Sequence, residues 1–137
     1  MVLTSTMLDE LIAHAREDAP NECCGVIAVA DARATAAYRT TNLKASPLAF
    51  EVDGRELLRV SATIEDAGWE LGAIYHSHTR TAPYPSQTDI NFAANWPGVE
   101  WVIVGLAGER PEVRSYAIDG GRVSEVALEI VQEELAP

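Results

Sequence analysis

Positive charge is scarce in this chain. Ten lysine and arginine residues face 21 aspartate and glutamate residues among 137, a formal net charge of −11, and Lys44 is the sole lysine. Nucleic acids and anionic membrane surfaces are bound through basic footprints, and none is present. Cysteine is scarce too. Cys23 and Cys24 are adjacent, and sequence neighbours rarely meet disulfide geometry. The lack of a disulfide framework favours a reducing compartment. The opening "MVLTSTMLDE" has no basic stretch followed by an apolar run, so no secretory leader is expected. No apolar run reaches the roughly 20 residues of a membrane span. A cytoplasmic protein with neither nucleic acid nor membrane as partner is expected. Nothing in the sequence fixes the oligomeric state, a homodimer being one it allows.

What is present suits one globular domain. Apolar residues make up 47% and charged residues 23%, enough for a core and ordinary for a folded chain. Met7, Leu8, Leu11, Ile12 and Ala15 recur at helical spacing. Thr6 with Asp9 predicts the N-cap, and Pro20 ends the helix. His14, beside Arg16 and Glu17, reads as a solvated surface residue. "CCGVIAVAD" (23–31) reads as a buried strand, and "ATAAYRTTN" (34–42) as the other arm of a hairpin. A second helix is expected over 54–67, with Leu57, Val60, Ser61 and Ile64 as its stripe and Gly68 as its stop. A strand over 69–78, a loop over 79–85, a short helix over 86–95 and strands at 100–106 and 112–118 follow. "DGG" (119–121) is a turn signal, and "RVSEVALEIVQEEL" (122–135) starts as a strand with an ambiguous end. The order α-β-β-α-β-α-β-β-β predicts a single α/β domain over 1–137, a mixed sheet flanked by helices.

Two of the three histidines, His76 and His78, sit two apart on the strand expected at 69–78. Alternating side chains put both on one face, with Cα atoms about 6.5–7 Å apart. From there both imidazoles reach one metal ion. Ser77 faces the other way and is no ligand. A third ligand must come from elsewhere, and Asp89, in the first turn of the helix after the loop, is the best placed. Pro83 and Pro85 restrict the loop's path. Two histidines and a carboxylate suit zinc with an open position, and also ferrous iron. Each piece has a plainer reading. His-x-His arises on strands by chance, and Ser86-x-x-Asp89 is also a capping pattern. The combination within residues 76–89 favours the metal site.

"HSH", seven residues, Ser86, two residues and Asp89 resemble the signature of the JAMM (MPN-plus) zinc metallopeptidases. That family also has a glutamate before an early strand, and "PNECCGVIA" supplies Glu22 there. "YHSHT", "YPS-x-x-D" and "RSYAI" are most similar to the small bacterial members that act on a ubiquitin-like sulfur carrier protein. One departure stands out: most members have proline after the second histidine, where this chain has Thr79. The resemblance implies a JAMM/MPN, deaminase-like architecture and Zn2+ held by His76, His78 and Asp89. It implies Glu22 as general base and Ser86 as a stabiliser of the oxyanion. Without the resemblance Glu22 reads as a solvated acid. The implied reaction hydrolyses the amide between the carrier's C-terminus and cysteine, a step of cysteine biosynthesis, on a tail that can bind as an added strand. Alternatives are an isopeptidase freeing a ubiquitin-like modifier from lysine and a catalytically silent MPN module. A zinc deaminase is set aside, because it needs His-x-Glu and Pro-Cys-x-x-Cys segments that are absent. Cys23 and Cys24 read as small apolar packing on opposite faces, and the tryptophans as core or edge packing.

Overall fold

A computed structural model describes residues 1–132; the end of the segment read at 122–135 lies outside the described residues. The elements are β1 (Val2–Thr4), α1 (Ser5–Asp18), β2 (Cys24–Ala30), β3 (Arg33–Thr40), α2 (Gly54–Asp66), β4 (Glu70–His78), α3 (Gln87–Ala93), β5 (Glu100–Gly105), β6 (Glu112–Asp119), β7 (Arg122–Val126) and β8 (Glu129–Val131). One sheet of the described residues runs in the order β7-β6-β5-β4-β2-β3-β1-β8. β4 pairs in parallel with β5, and β1 in parallel with both β3 and β8; the other pairs are antiparallel. This is the mixed α/β architecture expected, extended by two short strands, β1 and β8, that were not expected. Among the described residues no helix is long and apolar enough to cross a membrane.

Alternation along the strands splits the core into two layers. One face packs Leu3, Cys23, Ile27, Ala73, Tyr75, Val102 and Val104 under Leu11 and Ala15 of α1. The other packs Cys24, Ile74, Trp101, Ile103 and Tyr116 with Phe50 and with Ala93 of α3, and beside them Val26 and Ala28 meet Ile64 of α2. Each aliphatic side chain buried this way contributes about 1.5–3 kcal/mol. The two cysteines fall on opposite faces for the same reason. α2 keeps its expected stripe and stop, with Gly68 at φ 76°.

Two local expectations need correction. The N-cap of α1 is Thr4, whose hydroxyl accepts from the Met7 N–H, and not Thr6, because β1 hands the chain straight to the helix. His14 is buried, not solvated. It sits three residues after Leu11 on the inward stripe, its Nδ1 lies 2.8 Å from the Tyr75 hydroxyl, and its Nε2 lies 3.3 Å from Asp18. Burial lowers its pKa, against the pull of Asp18.

β4 carries the histidines in the middle of the sheet. It pairs with β2 as far as His76 and with β5 as far as His78.

Candidate active site

His76 and His78 close β4 on the face that carries Ile74. Their Nε2 atoms lie 3.2 Å apart, and each lies 3.1 Å from Asp89 Oδ2. His76 is fully buried, and His78 and Asp89 are each 4% exposed. Asp89 reaches them because α3 begins with a capping box. The Ser86 hydroxyl accepts from the Asp89 N–H at 3.1 Å, and Asp89 Oδ2 accepts from the Ser86 N–H at 2.9 Å. The plainer reading of this pair holds, and the capping carboxylate also faces both imidazoles. Ser86 is exposed, and its hydroxyl proton is not used by the cap.

Glu22 enters from the segment between α1 and β2. A carboxylate oxygen of Glu22 and one nitrogen from each of His76 and His78 lie within 4.8 Å of one another. The side chain is 4% exposed, and Oε1 has no hydrogen-bond partner among the described residues. Burial pushes its pKa up to about 7, against the pull of His78 and with a push from Asp89. The solvated-acid reading is thus overturned by position. Its backbone is held on both sides by the loop after β3. The Glu22 N–H donates to Ser46 O at 2.8 Å, and Asn42 Nδ2 donates to Glu22 O at 3.0 Å. Asn42 also donates to Ala49 O and accepts from the Lys44 and Glu51 N–H groups, each at 3.0 Å. Its amide thereby uses two donors and two lone pairs. The same loop lays Phe50 on His76, with ring centroids 4.4 Å apart and 23° between planes.

Protonation follows from these contacts. A carbonyl only accepts, so His78 Nδ1, 3.0 Å from Ala82 O, carries its proton and leaves Nε2 with a lone pair. Desolvation lowers the pKa of His76. Desolvation opposes protonation of His78 as well, but Asp89, the Ala82 carbonyl and Glu22 together raise its pKa. Burial works against ionised Asp89, yet the two imidazoles and the Ser86 N–H hold it well below the usual carboxylate range.

The donors suit a small divalent ion. Tetrahedral ligands at about 2.0–2.1 Å stand roughly 3.3–3.4 Å apart, close to the 3.1–3.2 Å among His76, His78 and Asp89. Glu22 also offers an oxygen to the same two histidines, the three atoms lying within 4.8 Å of one another. Asp89 Oδ2 meets both imidazole nitrogens at 3.1 Å, which fits it as the third donor with Glu22 beside the position. The thiols do not compete. Burial pushes Cys23 up to about 12 and Cys24 to about 11, so both stay protonated at neutral pH.

The neighbouring supports come from Ser77, Thr79 and Pro83, in contacts that local spacing does not reveal. Ser77 is buried on the other face and accepts from the Cys23 N–H at 2.8 Å, locking β2 to β4. Thr79 donates to Pro20 O at 3.0 Å and so ties the end of β4 to the segment carrying Glu22, a bond that proline at 79 would not make. Pro83 packs over Gly105, where a Cβ would stand 2.8 Å from the ring, and Tyr116 donates to Pro83 O at 2.5 Å. Asn42 and Phe50 lie in an irregular loop with no periodicity to reveal them.

Comparison with known proteins agrees with this geometry. The family described as prokaryotic homologs of the JAB domain matches residues 4–119. The chain is 37% identical over 136 residues to a CysO-cysteine peptidase of Mycobacterium tuberculosis, covering 97% of this chain and 92% of that protein. It is 38% identical over 134 residues to a desampylase of Haloferax volcanii, covering 93% and 95%. The solution structure of a Desulfitobacterium hafniense protein superposes with a TM-score of 0.85 at 32% identity, covering 98% and 93%. The family match over residues 4–119, together with relatives at 37% and 38% identity along nearly the whole chain, shows that the chain belongs to the prokaryotic JAB (JAMM/MPN) family of zinc metallopeptidases.

Proposed function

We propose that the chain, acting as one domain in the cytoplasm, hydrolyses the amide joining the C-terminus of a ubiquitin-like sulfur carrier protein to cysteine. The observation that carries the chemistry is a buried carboxylate, Glu22, with an unpartnered oxygen beside two imidazoles that share Asp89. The CysO-cysteine peptidase relative supports the substrate, and two reduced, buried thiols support the compartment. In this reading His76, His78 and Asp89 hold the zinc. Zinc held there would supply an acidified water, with a pKa of about 7, and Lewis-acid polarisation of a carbonyl. Glu22 accepts the attacking water's proton on its carboxylate and passes it to the departing amine. The Ser86 hydroxyl keeps its oxygen on the helix cap and donates its free proton to the developing oxyanion. Phe50 and the Ala82 carbonyl fix the two imidazole planes.

A second reading, release of a ubiquitin-like modifier from lysine, is favoured by the desampylase relative. The complete donor set speaks against a silent binding module. To separate the readings, the zinc-loaded protein is incubated with a sulfur carrier bearing a C-terminal cysteine and, in parallel, with a lysine-linked conjugate. Product masses are then followed. Loss of one cysteine residue from the carrier, faster than cleavage of the conjugate, is the expected result; the reverse order supports the isopeptidase and rejects the first reading.

A further inference from the structure

A cleft of about 310 Å3 opens beside Asp89 between the loop after β3 and α3. Phe50 and Phe92 supply apolar walls, and Thr88 and Asn91 line the side of α3. Its charged groups are Lys44, Glu51 and Asp89. Lys44 is the sole lysine of a chain with net charge −11, and it stands at this cleft. Its ammonium makes no hydrogen bond or ion pair among the described residues. Its backbone, by contrast, is fixed. Ala45 N–H donates to Asn42 O at 3.1 Å, Lys44 N–H donates to Asn42 Oδ1 at 3.0 Å, and the turn passes through Ala45 at φ 42°. The amide that fixes this turn also holds the backbone of Glu22.

Resting on the peptidase reading above, we propose that Lys44 is a specificity-determining residue that receives the free α-carboxylate of the amino acid being released. The carboxylate carbon of that residue is two bonds from the scissile nitrogen, so an amide placed against Asp89 and Glu22 brings the anion into the same small volume. There it meets Glu51, Asp89 and an acidic protein, and Lys44 is the one cation among the described residues lining the cleft. A lysine-linked conjugate presents its side-chain nitrogen at the same place, with four methylenes and no nearby anion. Lys44 therefore favours the C-terminal amino acid adduct over the isopeptide.

The test uses a sulfur carrier ending in cysteine as the free acid, the same carrier as the C-terminal carboxamide, and a lysine-linked conjugate. Binding is measured by calorimetry on the zinc-loaded Glu22→Gln protein, with and without Lys44→Gln or Lys44→Arg, and turnover on the protein with Glu22 intact. A charge-assisted contact is expected to give the acid about tenfold tighter binding than the carboxamide. Lys44→Gln should erase the difference and Lys44→Arg restore most of it. Equal binding of acid and carboxamide, or equal loss of both in Lys44→Gln, overturns the role of Lys44 while leaving the peptidase reading intact. Turnover of the lysine conjugate alone overturns both.

Discussion

Replacing Glu22 by glutamine should change how stability depends on pH in a way that can be worked out beforehand. The substitution keeps shape and hydrogen-bonding capacity but removes the proton equilibrium. In the folded, metal-free protein burial raises the Glu22 pKa from 4.5 to about 7. The sign follows from proton binding. Between those values the folded state holds the proton more tightly than the unfolded chain, so stability falls as pH rises. Below about 4.5 the folded state carries no ionised buried carboxylate and no penalty; above about 7 the penalty is complete. A difference of about 2.5 pKa units corresponds to about 3 kcal/mol, and the slope within the window approaches 1.4 kcal/mol per pH unit. Urea denaturation of the zinc-free proteins at half-unit steps from pH 4.5 to 8 reads this out as the difference between the parent and the Glu22→Gln variant, a difference that also includes the loss of the Glu22 pull on His78. The variant should gain on the parent by about 3 kcal/mol across the window. Parallel curves would refute the placement of Glu22 in a desolvated pocket.

Other perturbations separate positioning from packing. Asn42→Asp removes the donors to Glu22 O and Ala49 O while keeping both acceptor contacts; kcat should fall about tenfold with KM and zinc content unchanged, as steady-state kinetics and elemental analysis will show. Ser86→Ala removes the cap and the oxyanion donor together, so thermal unfolding should register a loss of about 1 kcal/mol and kcat a drop of about 100-fold. Cys23 and Cys24 should resist alkylation at pH 7.5 in the folded protein and react only in denaturant, as mass spectrometry of iodoacetamide-treated samples will report.

Long, periodic pieces were legible in the sequence. α2 showed its stripe and its glycine stop, and β4 announced itself by alternating Ile74, His76 and His78. The metal-site motif was legible because spacing along one strand fixes a shared face, and because a serine–aspartate pair at a helix start fixes where the carboxylate points. β1 and β8 were not legible. Three residues carry too little periodicity, and Glu129–Val131 sits in a run whose apolar spacing suits helix as well as strand. Both strands exist through pairing with each other and, for β1, with β3, contacts far apart in sequence. His14 misled because its neighbours Arg16 and Glu17 are polar, whereas its place three residues after Leu11 put it on the inward stripe, where Tyr75 meets its Nδ1. Asn42 and Phe50 act through long-range contacts to Glu22 and His76 that no local pattern encodes.

The central claim is that two imidazoles and the Asp89 carboxylate share one zinc ion while the adjacent thiols stay out. X-ray absorption at the zinc edge tests this directly on protein loaded with one equivalent of metal. Two imidazole nitrogens and oxygen ligands at about 2.0–2.1 Å, with no sulfur, are expected, and the His76→Ala protein should bind no stoichiometric zinc. A sulfur shell near about 2.3 Å, or a full zinc complement in His76→Ala, would contradict it.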